Sequence, residues 1–286
     1  MNPALCNLVQ QSLNHYQAAL NHPSLSTFVP DCAMPVAWFG DSDAYFRSPK
    51  RIVTVGLNPK SGINPKWHQG LIGAAGPNLV QLLYAVYDDY FIGNTLFPSI
   101  NPSQWNRDYL EWFKSLDTYL RKMTAYMNNA SGANAGLDVS YNGALLHLNG
   151  KHQTKNTMLH LDLYSTSPTN HAWSLLPNQE KQNLIQSISP SGIDLFRSAL
   201  AALNPDVVIL GIGARNGQLG HFFAPVANWG RLVHDSSNAL TAARMAVDLN
   251  TYTGQSGLNT NAQFVWLRSS QKPFANCLVS DAVQAF

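Results

Sequence analysis

The feature that most constrains the fold is the run of residues 51–60, which reads RIVTVGLNPK. Its first half is rich in β-branched residues, and a short run of this kind is typical of a strand buried on both faces. Gly56 then permits a tight turn, and Pro59 prevents the strand from continuing. The run therefore predicts a buried strand that ends at a turn carrying one polar side chain, Asn58.

The position of Asn58 has two interpretations. Ligands of open α/β sheets bind at the carboxyl ends of the strands, which makes Asn58 a candidate for chemistry. Asn and Pro are also ordinary turn residues, so Asn58 is equally well explained as a cap of its own turn.

The rest of the chain alternates between helical periodicity and short apolar runs. Besides the strand at the start of the run 51–60, we expect strands at 158–165, 207–211 and 262–267, and helices at 4–20, 79–92 and 178–203. This order predicts an α/β sandwich with a parallel core. We expect one domain, residues 1–286, with a helical N-terminal extension (1–50) and an Asn-, Gly- and Ala-rich insertion at about 129–157.

Cysteine usage and motif content exclude several classes of protein. Cys6, Cys32 and Cys277 are odd in number and widely spaced, which argues against a disulfide framework, a zinc site or a four-cysteine iron–sulfur cluster. The glycine-rich residues 211–217 are one residue too long for a GxGxxG motif, and a phosphate-binding GxxxxGK[ST] motif is absent. We therefore expect no metal and no cofactor.

Charge and hydropathy bear on the partners. No apolar run approaches the roughly 20 residues of a membrane span, and the N-terminus lacks a signal-peptide pattern, so we expect a cytoplasmic protein without a membrane partner. Charged residues make up only 12% of the chain, and the net charge is +2 without a Lys/Arg run. If DNA is the partner, locally concentrated positive charge or backbone amides and hydroxyls must hold its phosphates. We also expect a monomer.

Residues 55–59, Val-Gly-Leu-Asn-Pro, resemble the first active-site motif of the uracil-DNA glycosylase superfamily, most closely that of its mismatch-specific and single-strand-selective branches. The resemblance extends in order over about 50–90 and 157–286, although Lys60 stands where many branches have Gly. It implies a three-layer α/β/α sandwich with a central, mainly parallel four-stranded sheet. It also implies a monofunctional DNA glycosylase that flips a nucleotide out of DNA and hydrolyses its glycosidic bond.

The resemblance assigns roles to two residues. Asn58 matches the residue that positions the attacking water; an amide is a poor base, so ionisation of the bond must do most of the work. Asp162 matches the strand position at which many members carry a base-reading Asn. An ionised carboxylate only accepts hydrogen bonds, so it would pair with an exocyclic amine, as on cytosine, and repel uracil O4. Asp162 is also explained as a capping residue or a salt-bridge partner in the core.

The nature of the base follows from Asp162. An enzyme that removed plain cytosine would destroy its own genome, whereas a hypermodified cytosine of the kind found in some viral DNA would avoid this problem. We therefore predict excision of a modified pyrimidine in antiviral defence. The alternatives are a uracil- or mismatch-directed repair glycosylase and, from another class, a non-catalytic protein that binds nucleic acid or nucleotides.

Two loops compete for the family's second active-site motif. Residues 233–238 supply His234, the better catalytic candidate, and residues 267–274 follow the last strand and are the better candidate for DNA contact. The predicted DNA contacts are Lys60, Arg268, Ser269, Ser270 and Lys272. An ordinary polar loop and a C-terminal turn are the respective alternatives. Trp67 and Phe46 are candidates to stack on the flipped base, with simple packing as the alternative.

Overall fold

The computed structural model describes residues 1–31, 34–38, 40–58, 78–89, 139–141, 156–211 and 242–267. Its α-helices are α1 (Pro3–Asn21), α2 (Ser42–Arg47), α3 (Leu79–Asp89), α4 (Asn178–Gln182), α5 (Gly192–Leu203) and α6 (Leu249–Thr253). Its strands are β1 (Ile52–Gly56), β2 (Val139–Tyr141), β3 (Asn156–Asp162), β4 (Val207–Leu210), β5 (Ala242–Val247) and β6 (Ala262–Leu267). Short 3₁₀ turns span Leu25–Thr27 and Trp173–Leu175, and a π-helical turn spans Asn183–Ser187.

The described strands form one six-stranded sheet in the order β2-β3-β1-β4-β6-β5. Every neighbouring pair is parallel except β5 with β6, which is antiparallel. The chain therefore has an α/β fold with a mainly parallel sheet, as predicted. All four predicted strands are present, with β3 ending at Asp162 rather than at residue 165.

The predicted strand number is wrong, because β2 and β5 enlarge the sheet from four strands to six. Both added strands lie at edges of the sheet, where strands need less apolar sequence than in its centre. β2 has only three residues and lies within the predicted insertion of about 129–157. β5, with sequence AARMAV, lacks the β-branched run that marks the central strands.

The two faces of β1 differ in chemistry. Val53 and Val55 belong to the main hydrophobic cluster, which α1, α3 and α5 also join. Thr54 and Gly56 alternate with them and therefore lie on the opposite face. The parallel register pairs Thr54 with His160 and Gly56 with Asp162, so polar groups from two adjacent strands meet on that face.

The helices confirm the predicted periodicity except in one region. Helix α1 covers the predicted 4–20 with one extra residue at each end and packs against α5 and α3. The predicted helix 178–203 is interrupted before α5, which begins with a reciprocal capping box between Ser191 and Asp194. Pro190 lacks the backbone N–H that a continuous helix would need there. In the described ranges, no helix is both long and apolar enough to cross a membrane.

Candidate functional site

The candidate site lies where β1 and β3 end side by side. Gly56, the last residue of β1, is the register partner of Asp162, the last residue of β3. The pairing continues beyond the strands, because the Leu163 amide donates to the Gly56 carbonyl at 3.0 Å and the Tyr164 amide donates to the Leu57 carbonyl at 3.0 Å. Asn58 lies two residues after β1, and Asp162 is the last residue of β3. Both therefore lie at the carboxyl ends of neighbouring parallel strands, where α/β proteins bind their ligands.

The amide of Asn58 is oriented by Thr169. Its Nδ2 donates to Thr169 Oγ1 at 3.0 Å, across 111 positions of sequence. The Thr169 hydroxyl donates its only proton to the His171 carbonyl at 2.8 Å, so it accepts from Asn58. The amide nitrogen of Asn58 therefore faces Thr169, and Oδ1 faces away from Thr169. The side chain of Asn58 thus ties the end of β1 to the loop after β3, which goes beyond capping its own turn.

The carboxylate of Asp162 is buried and incompletely satisfied. Its side chain is 5% exposed, and Oδ1 lies 3.8 Å from Nε2 of His160. That distance allows an electrostatic interaction and is too long for a hydrogen bond. Oδ2 is buried, and no donor reaches it from the described part of the chain. Because a buried acceptor without a donor is costly and uncommon in native proteins, Oδ2 is suited to receive an N–H group of a ligand.

His160 is a member of the site that the sequence analysis did not select. Its side chain is 3% exposed, and its Nδ1 lies 3.0 Å from the Thr54 hydroxyl. A Cβ on Gly56 would lie 3.0 Å from Asp162 Oδ1 and 3.1 Å from His160 Nε2. The alternation of β3 was the available signal, because it places His160 and Asp162 on one face.

A buried loop rich in hydroxyl groups follows β3 and contacts Asn58 through Thr169. The loop comprises residues 165–169, and its four Ser and Thr residues are at most 6% exposed. Ser165 Oγ contacts Nε2 of His15 at 2.8 Å and accepts from the Ser167 amide at 2.9 Å. The Tyr164 ring, just before the loop, stacks on Trp173 with centroids 4.5 Å apart. Helix α1 and this stack therefore hold the loop that positions Asn58.

Phe46 does not join this group. It lies on α2 and packs edge-on against Tyr45, whose hydroxyl donates to the Leu203 carbonyl at 3.2 Å. Leu203 ends α5 just before β4 begins, so Tyr45 and Phe46 lie near the amino ends of the parallel strands. Asn58 and Asp162 lie at the opposite, carboxyl ends of the strands. The structure therefore does not bring Phe46 to them, and packing rather than stacking on a base explains its position.

The remaining predicted site residues lie outside the described residues: Lys60, Trp67, His234, Arg268, Ser269, Ser270 and Lys272. Both candidate loops for the second motif fall there, apart from the end of β6. Among the described side chains, no cluster of three or more His, Cys, Asp or Glu residues could hold a metal ion.

Comparison with known proteins assigns no family. No protein-family model, curated protein or solved structure matches the chain.

Proposed function

We propose that this protein is a monofunctional DNA glycosylase of the uracil-DNA glycosylase type, with that family's three-layer α/β/α architecture. It hydrolyses the N-glycosidic bond of a flipped-out modified pyrimidine and leaves an abasic site. The observation that carries the proposal is the position of Asn58 and Asp162 at the ends of adjacent parallel strands, with the Asn58 amide oriented by Thr169.

Asn58 positions the water. In the reaction the bond between C1′ and the base breaks, the bonding electrons leave with the base, and the water oxygen bonds to C1′ while its proton passes to solvent or to the base. Oδ1 of Asn58 accepts a hydrogen bond from that water and directs its lone pair at C1′. An amide removes no proton, so departure of the base precedes attack and the site contributes mainly by orientation.

Asp162 selects the base. Oδ2 accepts from the exocyclic amine of a cytosine-type base, and it repels the O4 oxygen of uracil. A substrate found in hypermodified viral DNA but not in the host genome makes such an enzyme safe for its own cell. These considerations support antiviral defence, with DNA as the partner, over uracil repair.

An abasic-site assay tests the proposal. Duplexes containing cytosine, 5-hydroxymethylcytosine, glucosylated 5-hydroxymethylcytosine, uracil or a G·T mismatch are incubated with enzyme, and alkali-labile breaks are counted. We expect breaks with a modified cytosine, and a loss of about 100-fold in rate for Asn58→Ala, because a misplaced nucleophile costs about that much.

The matched control is Asn14→Ala, the same substitution at an exposed position of α1, which should retain the wild-type rate. An Asn58→Ala enzyme as fast as wild type would refute the role of Asn58. A wild-type protein that leaves no breaks on any duplex yet binds DNA would support the non-catalytic alternative. The low charged fraction of 12% is consistent with that alternative.

A further inference from the structure

A chain of three buried polar side chains crosses from β1 to β3 on the face of the sheet opposite the main hydrophobic cluster. Thr54 Oγ1 lies 3.0 Å from His160 Nδ1, and His160 Nε2 lies 3.8 Å from Asp162 Oδ1. The chain ends at the carboxylate to which the proposed function assigns base reading. His160 is buried beside Asp162 and takes no part in the chemical steps of the proposed reaction.

We propose that His160 is a positioning residue for Asp162: its Nε2–H attracts Oδ1 and thereby leaves Oδ2 directed at the exocyclic amine of the base. This inference rests on the proposed function for its consequence, which is base preference. Its structural content, the proton on Nε2 and its effect on the carboxylate, is independent of catalysis.

The contact between Thr54 and His160 is compatible with a proton on Nε2 of His160. The Thr54 hydroxyl lies 3.0 Å from His160 Nδ1 and 3.5 Å from the Leu159 carbonyl oxygen. Because 3.5 Å is long for an O–H···O hydrogen bond, the hydroxyl is able to donate its proton to Nδ1. A neutral imidazole that accepts at Nδ1 carries its proton at Nε2, on the side of Asp162.

The carboxylate of Asp162 favours the tautomer of His160 that carries its proton on Nε2, because Oδ1 lies 3.8 Å from that nitrogen. A carboxylate attracts the positive end of the N–H dipole, which favours the proton on the nitrogen that faces it. Gly56 leaves the space between the two strands open, since a Cβ there would lie 3.0 Å from Oδ1 and 3.1 Å from Nε2. The glycine thus permits both groups to lie over β1.

The consequence for specificity is geometric. A carboxylate that rotates freely about its last bond presents either oxygen at varying angles and discriminates poorly between an amine and a carbonyl. Electrostatic attraction of Oδ1 to His160 Nε2–H restricts this rotation, so that Oδ2 favours one position and best accepts from a donor placed opposite it. His160 therefore acts on base preference through Asp162 without touching the base.

Two substitutions at position 160 separate this role from simple packing. The amide of His160→Gln reaches about as far as Nε2 and keeps a donor towards Asp162, whereas that of His160→Asn reaches only as far as Nδ1. We expect His160→Asn to lower the preference for modified cytosine over uracil, as a ratio of kcat/KM, by about tenfold. His160→Gln should retain the preference within about twofold, although both variants lose the ring; equal loss in both would overturn the proposal.

Nitrogen-15 NMR of the imidazole provides a test that needs no activity. We expect the Nε2–H tautomer in the wild type, and an Asp162 carboxyl carbon shift that changes in His160→Asn and less in His160→Gln. The Nδ1–H tautomer, or a carboxyl shift insensitive to both variants, would overturn the inference. If the wild type cleaves no duplex but these signals appear as expected, the proposed function fails while the positioning of Asp162 by His160 stands.

Discussion

At the scale of single residues, Asn58 and Asp162 differ in how completely the structure explains them. The amide of Asn58 is assigned by the one proton of the Thr169 hydroxyl. A salt bridge in the core, the alternative role of Asp162, explains only Oδ1, which faces His160 at 3.8 Å, because no donor among the described residues reaches Oδ2. The proposed base recognition accounts for both oxygens, since Oδ1 faces His160 and Oδ2 accepts from the base.

Asp162→Asn should change the base that is preferred. An Asn amide donates to uracil O4 and accepts from N3–H, so we expect the preference to move from modified cytosine towards uracil by roughly 10- to 100-fold. Competition between the two duplexes in one reaction measures the change. Asp43→Asn, at an exposed position of α2, is the control; an unchanged preference in Asp162→Asn would contradict base reading by Asp162.

At the scale of elements, the site depends on contacts between segments that are distant in sequence. The end of β1 is joined to the loop 165–169 through Asn58 and Thr169. The start of α5 lies against the same region, since a Cβ on Gly192 would lie 1.9 Å from the Tyr164 carbonyl oxygen. The loop is thus confined between a strand end and a helix start.

Removal of the Thr169 hydroxyl should loosen Asn58. We expect Thr169→Val, which keeps the shape of the side chain, to slow formation of abasic sites by about fivefold, because one hydrogen bond of about 1 kcal/mol no longer orients the amide. Thr169→Ser keeps the hydroxyl and should react at nearly the wild-type rate. If the valine and serine variants are equally active while their thermal midpoints match, Thr169 does not position Asn58.

At the scale of the whole molecule, His15 connects three parts of the fold. From α1, its Nδ1–H donates to the Pro190 carbonyl at 2.8 Å, and its Nε2 accepts from the Ser165 hydroxyl at 2.8 Å. Both contacts suit a neutral ring, and burial lowers the pKa of His15 from 6.5 to about 4, although the Pro190 carbonyl opposes the shift. A neutral buried histidine therefore joins α1, the site loop and the turn before α5.

Stability should fall as the pH decreases from 6.5 towards 4. In this window the unfolded chain protonates His15 and the folded protein does not, so the unfolded state binds more protons and the free energy of unfolding rises with pH. The difference between a pKa of 6.5 and one of about 4 corresponds to a loss of about 3 kcal/mol.

Urea unfolding at several pH values measures this loss, and His15→Gln, which does not titrate, should show a shallower decline over the same range. Parallel declines in the two proteins would contradict the assignment to His15. An NMR titration of the His15 ring in the wild type tests the same pKa even if the variant folds poorly; protonation near pH 6.5 would refute it.

The sequence by itself determined the local elements. The β-branched runs of β1 and β4, the helical spacing of α1 and the Gly and Pro around Asn58 act over a few residues, so periodicity and backbone restrictions are enough to predict them. The edge strands β2 and β5 escape such a prediction because β2 has only three residues and β5 is dominated by residues with little preference for strands.

Tertiary structure alone decided which side chains meet. Alternation along β3 indicates that His160 and Asp162 share a face, but only the register with β1 places them beside Thr54 and Gly56. The fold likewise brings Asn58 to Thr169, which is 111 positions away in sequence. It also places Phe46 near the amino ends of the strands, away from Asn58 and Asp162. Strand order and register depend on how the whole chain buries its apolar surface, and local sequence does not encode that outcome.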